Sequence, residues 1–236
     1  MSNETHTEVK NRILAALPEQ ERSQFLAHLE PFHLKHSAVL NEIGDRVEYV
    51  YFPNSGMVSL VSHTQEGGTL EVGIVGYEGI VNLSVFLGID ESQYRLLVQG
   101  EGDSLRMKTG AFRAECERGA SLQTTLRRYT QAMLTNITQA AICNRFHDVE
   151  ARLCRWLLQS QDCMRSNELQ LTQDFLAIML GVHRPAVSIA AGVVQMAGLI
   201  KYNRGHITVL DRNGLEAASC ECYGVIKEAF NWLPAA

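Results

Sequence analysis

The chain has 236 residues, 46% hydrophobic and 20% charged, with a formal net charge of −5. That length suits two modest domains, and the ordinary apolar content excludes extensive disorder beyond residues 1–7. The acidic balance leaves any nucleic-acid contact to a local patch. No apolar run follows the N-terminal Ser-Asn-Glu-Thr-His, so secretion and membrane insertion are not indicated, and the six cysteines are expected to be reduced thiols in the cytoplasm.

Residues 8–30 read as a short helical region, with Ile13, Leu14, Leu17, Phe25, Leu26 and Leu29 apolar. From 32 to 107 the pattern changes to short β-rich segments at 32–40, 49–52, 56–62, 69–75, 94–98 and 104–107. Turns such as Gly44-Asp45 and Asn54-Ser55-Gly56 separate them, which predicts a small antiparallel barrel or jelly roll. A cupin-type enzyme on such strands needs a His-x-His and Glu metal cluster. His63 stands alone near Glu71, so no catalytic residue is assigned.

A helical stretch at 108–119 leads into the longest predicted helix, 121–146. On it Leu122, Leu126, Tyr129, Met133, Asn136, Ala140 and Cys143 recur by fours and threes. The stripe is narrow and flanked by Arg127 and Arg128, which predicts a two-helix seam with Asn136 fixing register. The alternative is that the helix packs on its own barrel. Cys143 and His147 share a face, and two copies would meet across a two-fold axis. Zinc or redox chemistry there competes with a packed thiol and a solvated histidine. Cys220 and Cys222 lie two apart on a helix predicted at 213–230, which points them to different faces and predicts that they do not share a metal. The first cysteine is Cys116 and no Cys-x-x-Cys occurs, so an N-terminal iron–sulfur cluster is excluded. No metal and no cofactor are assigned.

A further amphipathic helix at 149–160 and a polar connection at 162–168 precede the most informative stretch, 171–200. Thr172 can cap a first helix that carries Asp174 in its opening turn and Phe175, Leu176, Met179 and Leu180 along one stripe. Gly181 can take the left-handed conformation that ends it, with Val182 as a plug. His183 can cap a second helix, with Pro185 in its first turn. Val187, Ala190, Ala191, Val194, Ala197 and Gly198 share one face of that helix, opposite Arg184, Pro185, Ser188, Ile189 and Gly192. A β-ribbon at 199–210 follows. Helix, glycine turn, helix and ribbon make a shape that fits the DNA major groove; an ordinary packed helical hairpin is the alternative. From 165 to 212 the five basic residues exceed the three acidic ones by two.

The 171–200 run, the ribbon and the 146–153 segment together resemble the Crp/Fnr superfamily of bacterial transcription regulators. The N-terminal half agrees: 34–40, Gly44-Asp45, 50–56 and 72–79 are similar to that family's cyclic-nucleotide-binding-like β-roll. The resemblance implies an α+β chain with a double-stranded β-helix (jelly-roll) sensor domain at 1–118, a dimerisation helix at 119–147 and a winged helix-turn-helix DNA-binding domain at 148–236. It implies a cytoplasmic homodimer on a palindromic double-stranded DNA operator, with RNA polymerase as a further partner and no membrane. Arg184, Ser188, Pro185 and Ile189 would read bases, while Thr172, Gln173, His183, Lys201 and Arg204 would hold phosphates. In the family's cyclic-nucleotide binders a Gly-Glu pair holds the ribose, and Arg followed by Ser/Thr clamps the phosphate. Here the positions are Gly79-Ile80 and Ser92-Gln93, with Arg95 displaced by two or three residues, so the effector pocket is degenerate and cAMP or cGMP is not expected. The alternative function is a small-molecule or redox sensor whose helix-turn-helix does not bind DNA.

Overall fold

A computed structural model describes residues 9–234, so the 1–7 segment read as disordered lies outside the described residues. Helices α1 (Arg12–Ala15) and α2 (Glu19–Leu26) precede seven strands: β1 (Glu30–Leu34), β2 (Val39–Asn41), β3 (Tyr49–Pro53), β4 (Met57–His63), β5 (Thr69–Val75), β6 (Arg95–Gly100) and β7 (Gly102–Lys108). These pair antiparallel into two sheets, ordered β1-β7-β3 and β2-β6-β4-β5. The single strand expected at 32–40 is two strands that join different sheets, because Ser37 adopts a left-handed φ of 63° between them.

The second half comprises α3 (Thr109–Arg118), α4 (Ala120–Phe146), α5 (Val149–Met164), β8 (Glu168–Gln170), α6 (Gln173–Leu180), α7 (Arg184–Met196), β9 (Ile200–Asn203), β10 (His206–Val209), α8 (Arg212–Ala218) and α9 (Cys222–Ala229). The fold is α+β, a jelly roll and a long helix followed by a winged helix-turn-helix. Two sequence expectations need correction. The connection at 162–168 completes α5 and supplies β8, which makes the wing three-stranded, ordered β8-β10-β9. The helix expected at 213–230 is two helices, because the chain turns extended at Ser219, with φ −79° and ψ 161°.

Helix α4 also corrects the seam. Leu122, Leu126, Tyr129, Met133, Asn136, Ala140 and Cys143 are all buried, and they are buried against their own chain. Leu122, Leu126, Tyr129 and Met133 join the core of the roll, and Tyr129 meets Phe230 with ring centroids 5.9 Å apart. Asn136 Oδ1 accepts a hydrogen bond from Gln159 Nε2 of α5 at 3.5 Å rather than pairing with a symmetry mate. Spacing by fours and threes reports one covered face; it cannot say which surface covers it. The face left open carries Leu134, 54% exposed, with Ala141 exposed and Ile137 half-buried along the same stripe.

Two large cores meet at β4 and β5. The second contains Leu153, Trp156, Leu157, Leu176, Leu180, Val187, Val194 and Ile207, and it draws Met57, Val61 and Ile74 from the roll. At this junction the Glu71 carboxylate is buried and accepts hydrogen bonds from Trp156 Nε1 at 2.6 Å and from the Ser59 hydroxyl. Burial raises its pKa to about 7, and the Ser59 and Trp156 hydrogen bonds oppose the rise only partly. The folded chain therefore holds a proton that the unfolded chain releases above the ordinary carboxylate range. The stability contributed by that proton is present at low pH and is lost as pH rises toward about 7. Glu71→Gln is expected to remove this slope, worth at most about 1.4 kcal/mol per pH unit. Chemical denaturation of both proteins across roughly pH 4.5 to 7 checks it; parallel pH profiles would refute it.

Candidate nucleic-acid interface

The helix-turn-helix is built by capping. Thr172 Oγ1 accepts from the Phe175 N–H at 3.2 Å and starts α6. Gly181, with φ 60° and ψ 41°, ends it, and the Val182 N–H donates to Ala177 O at 3.0 Å. A Cβ at Gly181 would lie 2.7 Å from Leu70 Cδ1, the end of a side chain that can turn aside, so φ rather than space calls for glycine here. The chain then bends by 103° into α7, within the usual helix-turn-helix range. Val187, Ala190, Ala191 and Val194 are buried as expected, whereas Ala197 and Gly198 lie past the helix end and are exposed. His183 precedes α7, but its side chain makes no capping bond, a correction to that expectation.

Arg184, Pro185, Ser188 and Ile189 all lie on the exposed side of α7, with Ile189 65% exposed. Two of them are held from α6. Ser188 Oγ donates to Gln173 Oε1 at 2.7 Å, and Arg184 Nη1 lies 3.4 Å from Asp174 Oδ1. The wing hairpin turns at Arg204 and Gly205, both at positive φ (47° and 84°), which exposes Lys201 and Arg204 beside α7. Tyr202 fixes the wing's position: its hydroxyl donates to Leu171 O at 3.0 Å, and its N–H donates to Gln195 Oε1 at 2.6 Å. Thr172, Gln173, Asp174, Arg184, Tyr202, Arg204 and Gly205 together line an open cleft of about 410 Å³. Sequence reasoning missed Tyr202 and the anionic Asp174 in this cleft, because only the fold brings the wing to the first turn of α6.

The degenerate effector positions separate. Ile80, Ser92 and Gln93 line a cleft of about 240 Å³ between the roll and α4, which contributes Thr130, Met133 and Leu134. Among the described residues no charged side chain lines it. Ser92 Oγ donates to Tyr94 O at 2.7 Å, so its hydroxyl already has a partner. Arg95 is not in this cleft; its Nε lies 3.4 Å from Glu42 Oε1. Gly79 is also absent from the lining, since it lies against the Tyr129 hydroxyl, which a Cβ would strike.

Residues 151–218 match the family described as the Crp-like helix-turn-helix domain. A protein assigned to the Crp/Fnr family of transcriptional regulators, from Eubacterium rectale, is similar with a TM-score of 0.65 at 18% identity, over 87% of this chain and 96% of that one. Residues 151–218 are thus similar to a Crp-like helix-turn-helix domain, and the chain as a whole shares the fold of that regulator. FixK2 from Bradyrhizobium japonicum matches with a TM-score of 0.65 at 14% identity, covering 81% of this chain and 98% of FixK2. The c-di-GMP-responsive global regulator CLP of Xanthomonas campestris matches with 0.64 at 18% identity, covering 81% and 99%. No curated protein sequence matches. No single helix of the described residues is long and apolar enough to cross a membrane.

A buried cyclic phosphate requires a cation and donors, and among the described residues the cleft offers no cation. Titration calorimetry with cAMP and cGMP is expected to give no binding at micromolar concentrations; a saturable micromolar isotherm would overturn this.

Proposed function

We propose that this Crp/Fnr-type chain is a homodimeric transcription regulator that reads a two-fold-symmetric DNA operator through α7, without control by cAMP or cGMP. The observation that carries the reading is the free outer face of α7, with Arg184, Pro185, Ser188 and Ile189 exposed between the Thr172 cap and the Lys201 and Arg204 wing. In this role Arg184 grips guanine O6 and N7 with a bidentate fork, Ser188 reaches a base edge and Ile189 meets a thymine methyl. Thr172, Gln173, His183, Lys201 and Arg204 hold phosphates and set register. Pro185 and Ile189 stand where better-known members of the family carry charged base-reading side chains, so the preferred operator differs from theirs.

The second copy is reached through the open stripe of α4. Leu134, Ile137 and Ala141 supply apolar contact there, since the face originally expected to form the seam is already covered. Dimerisation places the two reading helices in successive major grooves, roughly 34 Å apart. It also doubles a basic footprint that is weak in one subunit, which makes binding strongly salt-dependent.

Selection of bound DNA from a random pool, followed by anisotropy titration of the winner, tests the reading. Arg184→Ala is expected to cost about 1–3 kcal/mol on the selected site and to relax one base preference. Unchanged specific binding would remove Arg184 from its role, and failure to enrich any symmetric site would remove the operator. Leu134→Asp is expected to weaken dimerisation by roughly 2 kcal/mol or more, because the contact buries an unpaired charge. Sedimentation equilibrium reads this directly, and an unaltered dimer constant would place the interface elsewhere.

A further inference from the structure

The break between α8 and α9 has a chemical result. Cys143 ends its helix face one turn before His147, and the extended turn at Ser219 brings both Cys220 and Cys222 to the same spot. Cys143 Sγ lies 3.5 Å from Cys220 Sγ, and Cys222 Sγ lies 3.6 Å from His147 Nδ1. All four ligand atoms fall within 4.8 Å of one another. The sequence expectation that Cys220 and Cys222 cannot share a metal rested on one continuous helix, which the chain does not form.

We infer that Cys143, His147, Cys220 and Cys222 of a single chain form a closed tetrahedral zinc site. Zinc held by sulfur at about 2.3 Å and nitrogen at about 2.0 Å sets its ligand atoms roughly 3.5–3.8 Å apart, close to the two contacts measured here. Three soft thiolates and one imidazole suit zinc over hard cations. His147 also has the outer partner that a metal-bound histidine needs: its Nε2 lies 3.3 Å from Glu221 Oε1, leaving Nδ1 for the metal.

A second observation points the same way. Arg152 and Arg155 are buried beside the cluster, and each leaves its Nε without a hydrogen-bond partner. Among the described residues neither forms an ion pair with a carboxylate. A zinc ion with three thiolates carries one net negative charge, which these two guanidinium groups would offset. Binding releases the thiol protons to solvent and forms three Zn–S bonds and one Zn–N bond, with no change of oxidation state. Cys143 and His147 belong to the end of α4, whereas Cys220 and Cys222 belong to the C-terminal helices, so the ion would fasten the C-terminus to the long helix.

The test uses the full chain, untagged, reduced, stripped with a chelator and titrated with Co²⁺ and then Zn²⁺. The expected result is thiolate-to-cobalt charge transfer with intense tetrahedral ligand-field bands, saturating at one Co²⁺ per chain and bleached by one Zn²⁺. Cys222→Ser is expected to abolish the stoichiometric bands, Cys222→His to retain them at shifted energies, and Cys154→Ser to leave them unchanged. Glu221→Gln is expected to lower zinc affinity by about tenfold or more. Absence of the bands in the wild-type chain overturns the site, as do bands that survive in a Cys143→Ser/Cys222→Ser double variant. None of these readouts involves DNA, so the zinc site and the operator reading stand or fall separately.

Discussion

The architecture depends on how one helix divides its surface. Helix α4 runs through 27 residues, a rod of roughly 40 Å. It spends one face on the roll, α5 and α9, and leaves another open. Side chains such as Tyr129 and Met133 fix where the roll sits along that rod, while Asn136 and Cys143 fix where α5 and the C-terminal helices sit. The same rod therefore sets the distance between the cleft beside Ile80 and α7, and it presents an open apolar stripe around Leu134.

A second contact ties roll to reader more directly. The Trp156 indole donates to Glu71 across the junction, Gln99 Nε2 lies 2.9 Å from Met179 Sδ, and Leu70 fills the space above Gly181. A buried carboxyl that satisfies donors from both halves is costly to separate, since parting the halves would strand each group without its partner. The roll is thus braced against the helix-turn-helix at its glycine hinge, and a change in the apolar cleft has a short packed route toward α6 through β4, β5 and β6.

The helix-turn-helix is the most legible part of the sequence. Thr172, Gly181, Pro185 and the buried small residues of α7 each carry a local backbone or periodicity rule that needs no distant partner. The strands were legible as strands, but Ser37 broke one of them where no glycine or proline warned of it. The α4 stripe is legible as a covered face, but heptad spacing leaves the choice between a second copy and the roll open, and the roll takes it. Arg95 and Gly79 were placed by chain order, whereas an ion pair with Glu42 and the bulk of Tyr129 decide where they lie. The meeting of Cys220 and Cys222 is not legible, because helix periodicity runs on through Ser219, where no proline marks the break.

Under the proposed operator-reading role, the Arg184–Asp174 pair bears on how the protein would travel along a genome. While the guanidinium rests on its own carboxylate, a passing stretch of duplex gains little from it, and the nearby anion repels phosphates indiscriminately. Only a base that offers two acceptors in the right geometry can win the fork away. Such an internal competitor lowers the affinity for every wrong sequence more than for the right one. Selectivity then comes from what the protein holds back as much as from what it offers.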